Sequence, residues 1–292
     1  MFPTPHTIKT NGIELEVFAK GSGKAVVMCH GWPEHAYSWR HQVDPLVDAG
    51  YQVIVPNQRG YGHSSRPTPV DEYDITHLKG DLVGLLDNYG LDDALFVGHD
   101  WGARAAYIAS CLAPERFTHC VALSVGWGTN DPEQVLSLTQ AQNYWYHWYM
   151  TLPRGEALVR DERRVFTRYI WKIWTPDHPL SDAAFDATAP SFDNPDWAEI
   201  VMHSYRVRWG FAEVDPTFES IEARLRSDPT IAVPTLVIHG GADPCNTPSN
   251  SEGKEHLFSG TYRREILEGV GHFPQREMPQ ETVALIVPFL VN

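Results

Sequence analysis

The sequence predicts an α/β fold: helices flank a largely parallel sheet, and an aromatic helical segment interrupts that sheet late in the chain. Three observations lead there. In the first half, short β-favouring runs alternate with helical stretches, the pattern of a sheet covered by helices. The run Ala25–Met28 is almost wholly apolar, as a strand buried on both faces requires. From about residue 129 to residue 226 strand signals vanish, and they resume at VPTLVIHG.

Taken in order, the candidate strands are Ile13–Phe18, Ala25–Cys29, Gln52–Val55, Ala94–Val97 and His119–Leu123. Helices are expected over Ile75–Tyr89 and Ala103–Leu112, the second stopped by Pro114, which cannot continue a helical ladder. Thr235–Ile238 and Arg263–Leu267 complete the strands. The region between is rich in Trp, Tyr and Arg, as in QNYWYHWYM, RYIWKIW and HSYRVRWG. Lying between two strands of one sheet, it reads as an insertion covering the sheet edge. Each aromatic buries a large area, so packing and pocket lining both account for this density. The expected organisation is a core of residues 1–128 and 227–292, with a helical lid at 129–226.

Composition narrows the function. A chain of 292 residues can hold one large core domain, or a core with an insertion. Apolar residues at 42% and charged residues at 21% are ordinary for a soluble globular protein. The net charge of -14 argues against nucleic acid or an anionic membrane surface as the main partner. No apolar run approaches the roughly 20 residues that span a bilayer. MFPTPHTIKT also lacks the basic and apolar regions of a signal peptide, so a cytoplasmic protein is expected. Cys29, Cys111, Cys120 and Cys245 show neither CxxC pairing nor metal-ligand spacing with histidines. They are expected to be reduced thiols, with no metal site.

The strongest local signal is VGHDWGA, in which a strand leads through Gly98-His99-Asp100-Trp101-Gly102 into a helix. A sharp strand-to-helix turn of the form G-x-nucleophile-x-G lifts one side chain above the sheet, and glycine on either side avoids a clash. Here that side chain is the Asp100 carboxylate, and the helix N-terminus behind it suits an anion. Asp is also a good helix N-cap, so the pattern alone leaves both roles open. HGWP at His30–Pro33 directly follows the apolar strand and supplies context.

With these motifs in this order, the chain resembles the α/β-hydrolase superfamily, in particular its soluble epoxide hydrolase and dehalogenase branch. The resemblance spans nearly the whole chain and implies a mostly parallel eight-stranded sheet with an inserted lid. HGWPE resembles the HGxP oxyanion loop, which implies a backbone N–H donor from Trp32, a second from Trp101, and a cis Trp32–Pro33 peptide. NQRGYGHSS resembles the DxRGxGxS stretch, with Asn57 in place of the aspartate, and is read as structural.

An aspartate nucleophile is ionised at neutral pH and attacks without a base; the resulting ester then needs a histidine to activate water. GVGHFPQREMP resembles the family's histidine loop and points to His272; HGGADPC places Asp243 after Thr235–Ile238 as the acid that orients it. A turn aspartate before Pro244 and a surface-loop histidine are the plain structural alternatives. SVGWGTN, where some dehalogenases carry the acid, has none.

The choice between epoxide and halide turns on the leaving group. An epoxide alkoxide needs a proton donor, for which tyrosine is suited. NYWYHWYMTLP and HSYRVRW resemble the two lid-tyrosine segments and point to Tyr146 and Tyr205, with Tyr144 and Tyr149 as rivals for the first role. A halide needs N–H donors. Trp101 fits one such position, but Trp32 replaces the asparagine of the dehalogenase HGNP motif. His147 and Trp148 resemble a fluoroacetate dehalogenase pair, and Arg104 matches one of that group's two arginines, while Trp101 replaces the other. Epoxide opening is therefore the leading expectation, and carbon–halogen cleavage the second. A non-catalytic ligand receptor on the same fold is disfavoured, because all three triad positions are filled. Trp32, Trp101, Trp145, Trp148 and Trp209 point to a small apolar or aromatic substrate. No metal or organic cofactor is implied, and a homodimer is compatible with this class.

Overall fold

β1 (Pro5–Thr10) and β2 (Ile13–Lys20) form an antiparallel hairpin that turns at Asn11–Gly12, with φ of 47° and 77°. Both central residues of a type I′ turn need positive φ, which explains the Asn-Gly pair. The computed structural model describes residues 1–67, 73, 75–128, 135–213 and 216–291. β1 is an addition to the expected strands. It is mostly exposed, so it carries no apolar alternation to betray it.

β3 (Lys24–Cys29), β4 (Tyr51–Pro56), β5 (Ala94–His99), β6 (Phe117–Leu123), β7 (Thr235–Gly240) and β8 (Tyr262–Leu267) complete an eight-stranded sheet of order β1-β2-β4-β3-β5-β6-β7-β8. β2 runs antiparallel to β4, and every pairing from β4 through β8 is parallel. The expected mostly parallel sheet is thus present. Ala25, Val27 and Cys29 of β3 enter one core while Val26 and Met28 enter the other. Burial on both faces is why that strand reads as a continuous apolar run.

The flanking helices are α1 (Val43–Asp48), α2 (Ile75–Asn88) and α3 (Trp101–Leu112). After β6 come α4 (Leu138–Asn143), α5 (Trp145–Met150), α6 (Pro153–Asp161), α7 (Arg163–Trp174), α8 (Asp182–Thr188), α9 (Trp197–Arg208) and α10 (Glu219–Ser227). α11 (Pro274–Glu277) and α12 (Pro279–Val291) close the chain. Leu82, Leu85 and the alanines of α3 fill one sheet face, and Leu46, Ile286 and Phe289 fill the other. A third core, built from Trp32, Tyr146, Phe166, Trp171, Trp174 and Trp197 among others, belongs largely to the helices between β6 and β7. Most of the aromatic segment is therefore packing. The boundary expected at residue 129 lies outside the described residues.

Parallel pairing brings the carboxyl ends of β3, β5, β6, β7 and β8 to one edge of the sheet. The loops carrying Trp32, Asp100, Ser124, Asp243 and His272 all leave from that edge. Open parallel sheets characteristically bind ligands there. No helix among the described residues is long and apolar enough to cross a membrane.

Candidate active site

Asp100 is the hinge between β5 and α3, with φ 52° and ψ −115°. A non-glycine residue at positive φ is strained, and its neighbours enforce it. A Cβ on Gly98 would fall 2.1 Å from the Gly102 carbonyl oxygen, and one on Gly102 would fall 2.2 Å from that of Cys29. Only glycine at both positions lets the turn close against β3. α3 starts at Trp101, two residues earlier than the sequence indicates, because the helix begins directly after this turn.

The turn presents the Asp100 carboxylate to two groups. Oδ1 accepts the Trp32 backbone N–H at 2.9 Å. Oδ2 lies 3.7 Å from His272 Nε2, within ionic reach but too far for a hydrogen bond. The buried Nε2 has no hydrogen-bond partner. On the other side of the ring, Nδ1 meets Asp243 Oδ2 at 2.9 Å. Asp243 Oδ1 in turn accepts the backbone N–H groups of Cys245 and Asn246, at 2.8 and 3.1 Å. His239 Nε2 is 3.6 Å from Asp243 Oδ2.

The charges reinforce one another. Burial by itself would raise the Asp100 carboxyl, but His272, His99 and the Trp32 N–H outweigh it and hold it below its ordinary range. Burial opposes ionisation of Asp243 too, yet His272 and His239 keep that carboxyl well below the usual range. For His272 burial lowers the pKa, and the Asp243 carboxylate, aided by Asp100, more than reverses this and raises it well above the ordinary value. The resting site is a buried carboxylate–imidazole–carboxylate array.

Two tyrosines stand at this array. Tyr146 stacks on Trp32 at 5.7 Å, and Tyr205 meets Trp101 edge-on at 5.6 Å. Their rings are 5.4 Å apart. Burial, with the Asp100 charge adding to it, pushes both hydroxyls well above the ordinary phenol value. The rivals are placed differently. Tyr144 donates to Asn246 Oδ1 at 2.6 Å, and Tyr149 packs on Trp145. A cavity reaches Trp32, Trp101 and Tyr205, and Gly31, Tyr61 and Val201 are among its other walls.

Arg104, His147 and Trp148 pack against Trp101, Tyr205 and Trp209 respectively. The single turn of α5 points His147 into a stack with Tyr144 and Tyr205, at 4.3 and 4.2 Å, where it accepts Trp209 Nε1–H at 3.1 Å. Trp148 donates to the Ala141 carbonyl at 3.0 Å and packs on Trp209. Arg104 is buried, its guanidinium 5.5 Å from the Trp101 ring, and burial next to Arg208 pushes its pKa down to about 10. Trp145 packs among aromatics of the helices between β6 and β7, at 6.2 Å from Tyr146 and 6.3 Å from Phe166.

Residues 24–279 match the family model described as alpha/beta hydrolase fold. The chain belongs to this family. This α/β-hydrolase is 35% identical to Epoxide hydrolase A of Mycobacterium tuberculosis (strain ATCC 25618 / H37Rv), over 99% of this chain and 98% of that one. It is 30% identical to Epoxide hydrolase of Caballeronia sordidicola, over 98% and 93% of the two chains. Among solved structures it resembles Epoxide Hydrolase A from Mycobacterium thermoresistibile, with a TM-score of 0.77 and 33% identity over 99% and 98% of the chains.

In this α/β-hydrolase the Trp32–Pro33 peptide is cis, as its HGWP motif implies. Asn57 accepts the Ala36 N–H at 2.7 Å and donates to Glu16 Oε2 at 2.6 Å, pinning the loop after β3 to the end of β4. Arg59 makes a buried bidentate pair with Asp81, at 2.7 and 2.6 Å. Asn57 and Arg59 thus brace this stretch, and its Tyr61 reaches the cavity wall. Sequence reasoning missed His99 and Ser124, which both hold the His272 carbonyl, at 2.7 and 2.9 Å. Burial pushes His99 down to about 3, so it is neutral and donates through Nε2. His99 lies inside the nucleophile motif, and that position was the one available signal.

Proposed function

We propose that this α/β-hydrolase opens epoxides to vicinal diols, with Asp100 as nucleophile, His272 as water-activating base and Asp243 as its orienting acid. The observation that carries this reading is the pair of buried tyrosines, one on Trp32 and one on Trp101, the residues flanking the Asp100 carboxylate. A halide needs no such pair of hydroxyl donors; an epoxide oxygen does.

The epoxide binds in the cavity beneath the helices between β6 and β7, which act as the lid. Oδ2 of Asp100 attacks one ring carbon, and the carbon–oxygen bond breaks as the oxygen takes a proton from Tyr146 or Tyr205. Because both hydroxyls are held well above the ordinary phenol range, they stay protonated until that oxygen develops charge. The ester's carbonyl oxygen is then Oδ1, already accepting the Trp32 N–H, and the Trp101 N–H supplies the second donor of the oxyanion site. His272 Nε2 next takes a proton from water, which adds to the ester carbon, and Asp243 stabilises the imidazolium. Collapse releases the diol and restores Asp100, while the imidazolium proton returns to the tyrosinate. Water, carboxylate and imidazole complete the cycle. The walls Trp32, Tyr61, Trp101 and Val201 favour a small, largely apolar or aromatic epoxide.

Mass spectrometry on His272→Asn tests this. Exposed to epoxides, haloalkanes and haloacids, the variant should retain an Asp100 adduct equal to an entire epoxide. An adduct equal to a halide substrate minus HX would establish dehalogenation in its place. A folded variant with no adduct would move the assignment to a non-catalytic receptor.

A further inference from the structure

The loop after β7 carries a thiol into the same space as the triad. Cys245 lies two residues beyond Asp243, and its backbone N–H holds that carboxylate. Its Sγ is 3.5 Å from the Tyr146 hydroxyl, so the thiol points towards the catalytic aromatics. One donor atom from each of Asp243, Cys245 and His272 lies within 4.8 Å of the others, and all three residues are buried. His272 turns its Nδ1 to the same cluster, 2.9 Å from the Asp243 carboxylate. Cys111, by contrast, has its thiol against the carbonyls of Asp228 and Thr230.

We propose that Asp243, Cys245 and His272 form a latent site for a soft divalent cation, zinc or cadmium, whose binding halts the enzyme between alkylation and ester hydrolysis. A carboxylate oxygen, a thiolate and an imidazole nitrogen are a donor set that zinc accepts, at about 2.0–2.3 Å from each. Tetrahedral geometry then puts the donors about 3.3–3.8 Å apart. Asp243 Oδ2 and His272 Nδ1 are 2.9 Å apart, and all three donors lie within 4.8 Å of one another, so small side-chain adjustments bring them to that spacing. Magnesium and calcium prefer all-oxygen shells, so the thiol makes the site selective. The ion displaces the Cys245 thiol proton, while the proton of the Asp243–His272 hydrogen bond moves to Nε2; binding therefore tightens as pH rises.

The functional consequence rests on the epoxide reading above. An ion on Nδ1 displaces the ring proton to Nε2 and removes the lone pair that receives water's proton. Attack by Asp100 needs no base, so alkylation proceeds and the ester accumulates. The linear sequence conceals this site because its donors come from loops after two different strands.

Titration of the full chain with cadmium chloride, without substrate, tests the site independently of any activity. We expect one bound cadmium per chain, with the ultraviolet charge-transfer absorption of a thiolate–cadmium bond. Cys245→Ser should weaken binding by more than about 100-fold, beyond the 10–100-fold cost of outer-shell changes, and should abolish the absorption. Cys245→Ala should behave alike, and serves if the serine variant does not fold. Failure of the wild type to bind cadmium in large excess, or equal binding by these variants, overturns the proposal. Cadmium-loaded wild type mixed with a small aryl epoxide should retain the Asp100 adduct; continued diol formation with cadmium bound overturns the halting step. A failed epoxide reading shows itself separately, as no diol from metal-free enzyme.

Discussion

The Asp100 carboxylate occupies a backbone position that costs energy to hold, with φ 52°, and both its oxygens are committed, to the Trp32 N–H and towards His272. Asp100→Ala should abolish diol formation while leaving a folded protein, and a purified variant that retains turnover would remove the nucleophile from the scheme. Tyr146→Phe and Tyr205→Phe should each slow epoxide opening by about 10²–10⁴-fold, the usual yield of a positioned proton donor; single-turnover alkylation rates would read this. His272 carries a subtler prediction. Its pKa is high in the resting site because Asp243 and Asp100 are both negative. Esterification neutralises Asp100, so the imidazole pKa falls and Nε2 becomes a base when water is needed. The pKa governing ester hydrolysis should therefore lie below that of His272 in the resting enzyme, as NMR titration and single-turnover pH profiles can compare. Asp243, depressed when folded, stabilises the fold above the unfolded carboxyl value of about 4, and that contribution is lost as pH falls through its folded pKa. Asp243→Asn should thus cost stability near neutral pH and little in strong acid, where neither form is charged; denaturation at two pH values decides it.

At the scale of elements, the histidine loop is held from three directions. The His272 carbonyl accepts from His99 at the end of β5 and from Ser124 after β6, and its N–H donates to the Trp174 carbonyl at the end of α7, at 2.8 Å. Glu277 accepts the N–H groups of Gly271 and Phe273, each at 2.8 Å. Ser124→Ala removes one of two donors to that carbonyl and should cost about 1 kcal/mol, the net worth of one such hydrogen bond. It should also slow ester hydrolysis more than alkylation, because only the later step uses the imidazole; burst kinetics separate the two, and equal slowing would show that Ser124 does not position His272. These ties also mark where the sequence is legible. VGHDWGA and GVGHFPQREMP announce themselves because a strand-to-helix turn and a post-strand loop impose local residue types. The donors to the His272 carbonyl do not, since they meet it only once the parallel strands align their ends. Asn11–Gly12 was readable as a hairpin turn, but exposed β1 offered no alternation to pair with it. The lid segments were legible as aromatic and helical. Which aromatics pack against which was not, because a helix as short as α5 shows no periodicity, and tertiary packing set His147 against Tyr205 and Trp148 against Trp209.

Across the whole molecule, the loop after β3 and the loop after β8 must keep a fixed separation, because one holds Asp100 through Trp32 and the other holds His272. Glu34 of the first loop and Arg276 of α11, which follows the second, form a fully buried ion pair, and the Arg276 guanidinium also lies 4.2 Å over the Trp171 ring of α7. The two loops and α7 are thereby fastened at one point. Burial pushes the Glu34 carboxyl above its ordinary range despite the guanidinium beside it, so desolvation takes back much of the attraction between the two charges. Such a pair stabilises little compared with apolar residues of equal size, yet breaking it strands a charge in the core. Glu34→Leu alone should therefore destabilise the protein by about 3–5 kcal/mol. The double variant Glu34→Leu with Arg276→Met should recover most of that loss, since no charge is left unpaired. Urea denaturation of the two singles and the double closes the cycle. If the double falls by the sum of the singles, the pair is not coupled and the fastening argument fails. If stability returns but ester hydrolysis stays slow, the pair fixes the spacing between the two loops more than it holds the fold.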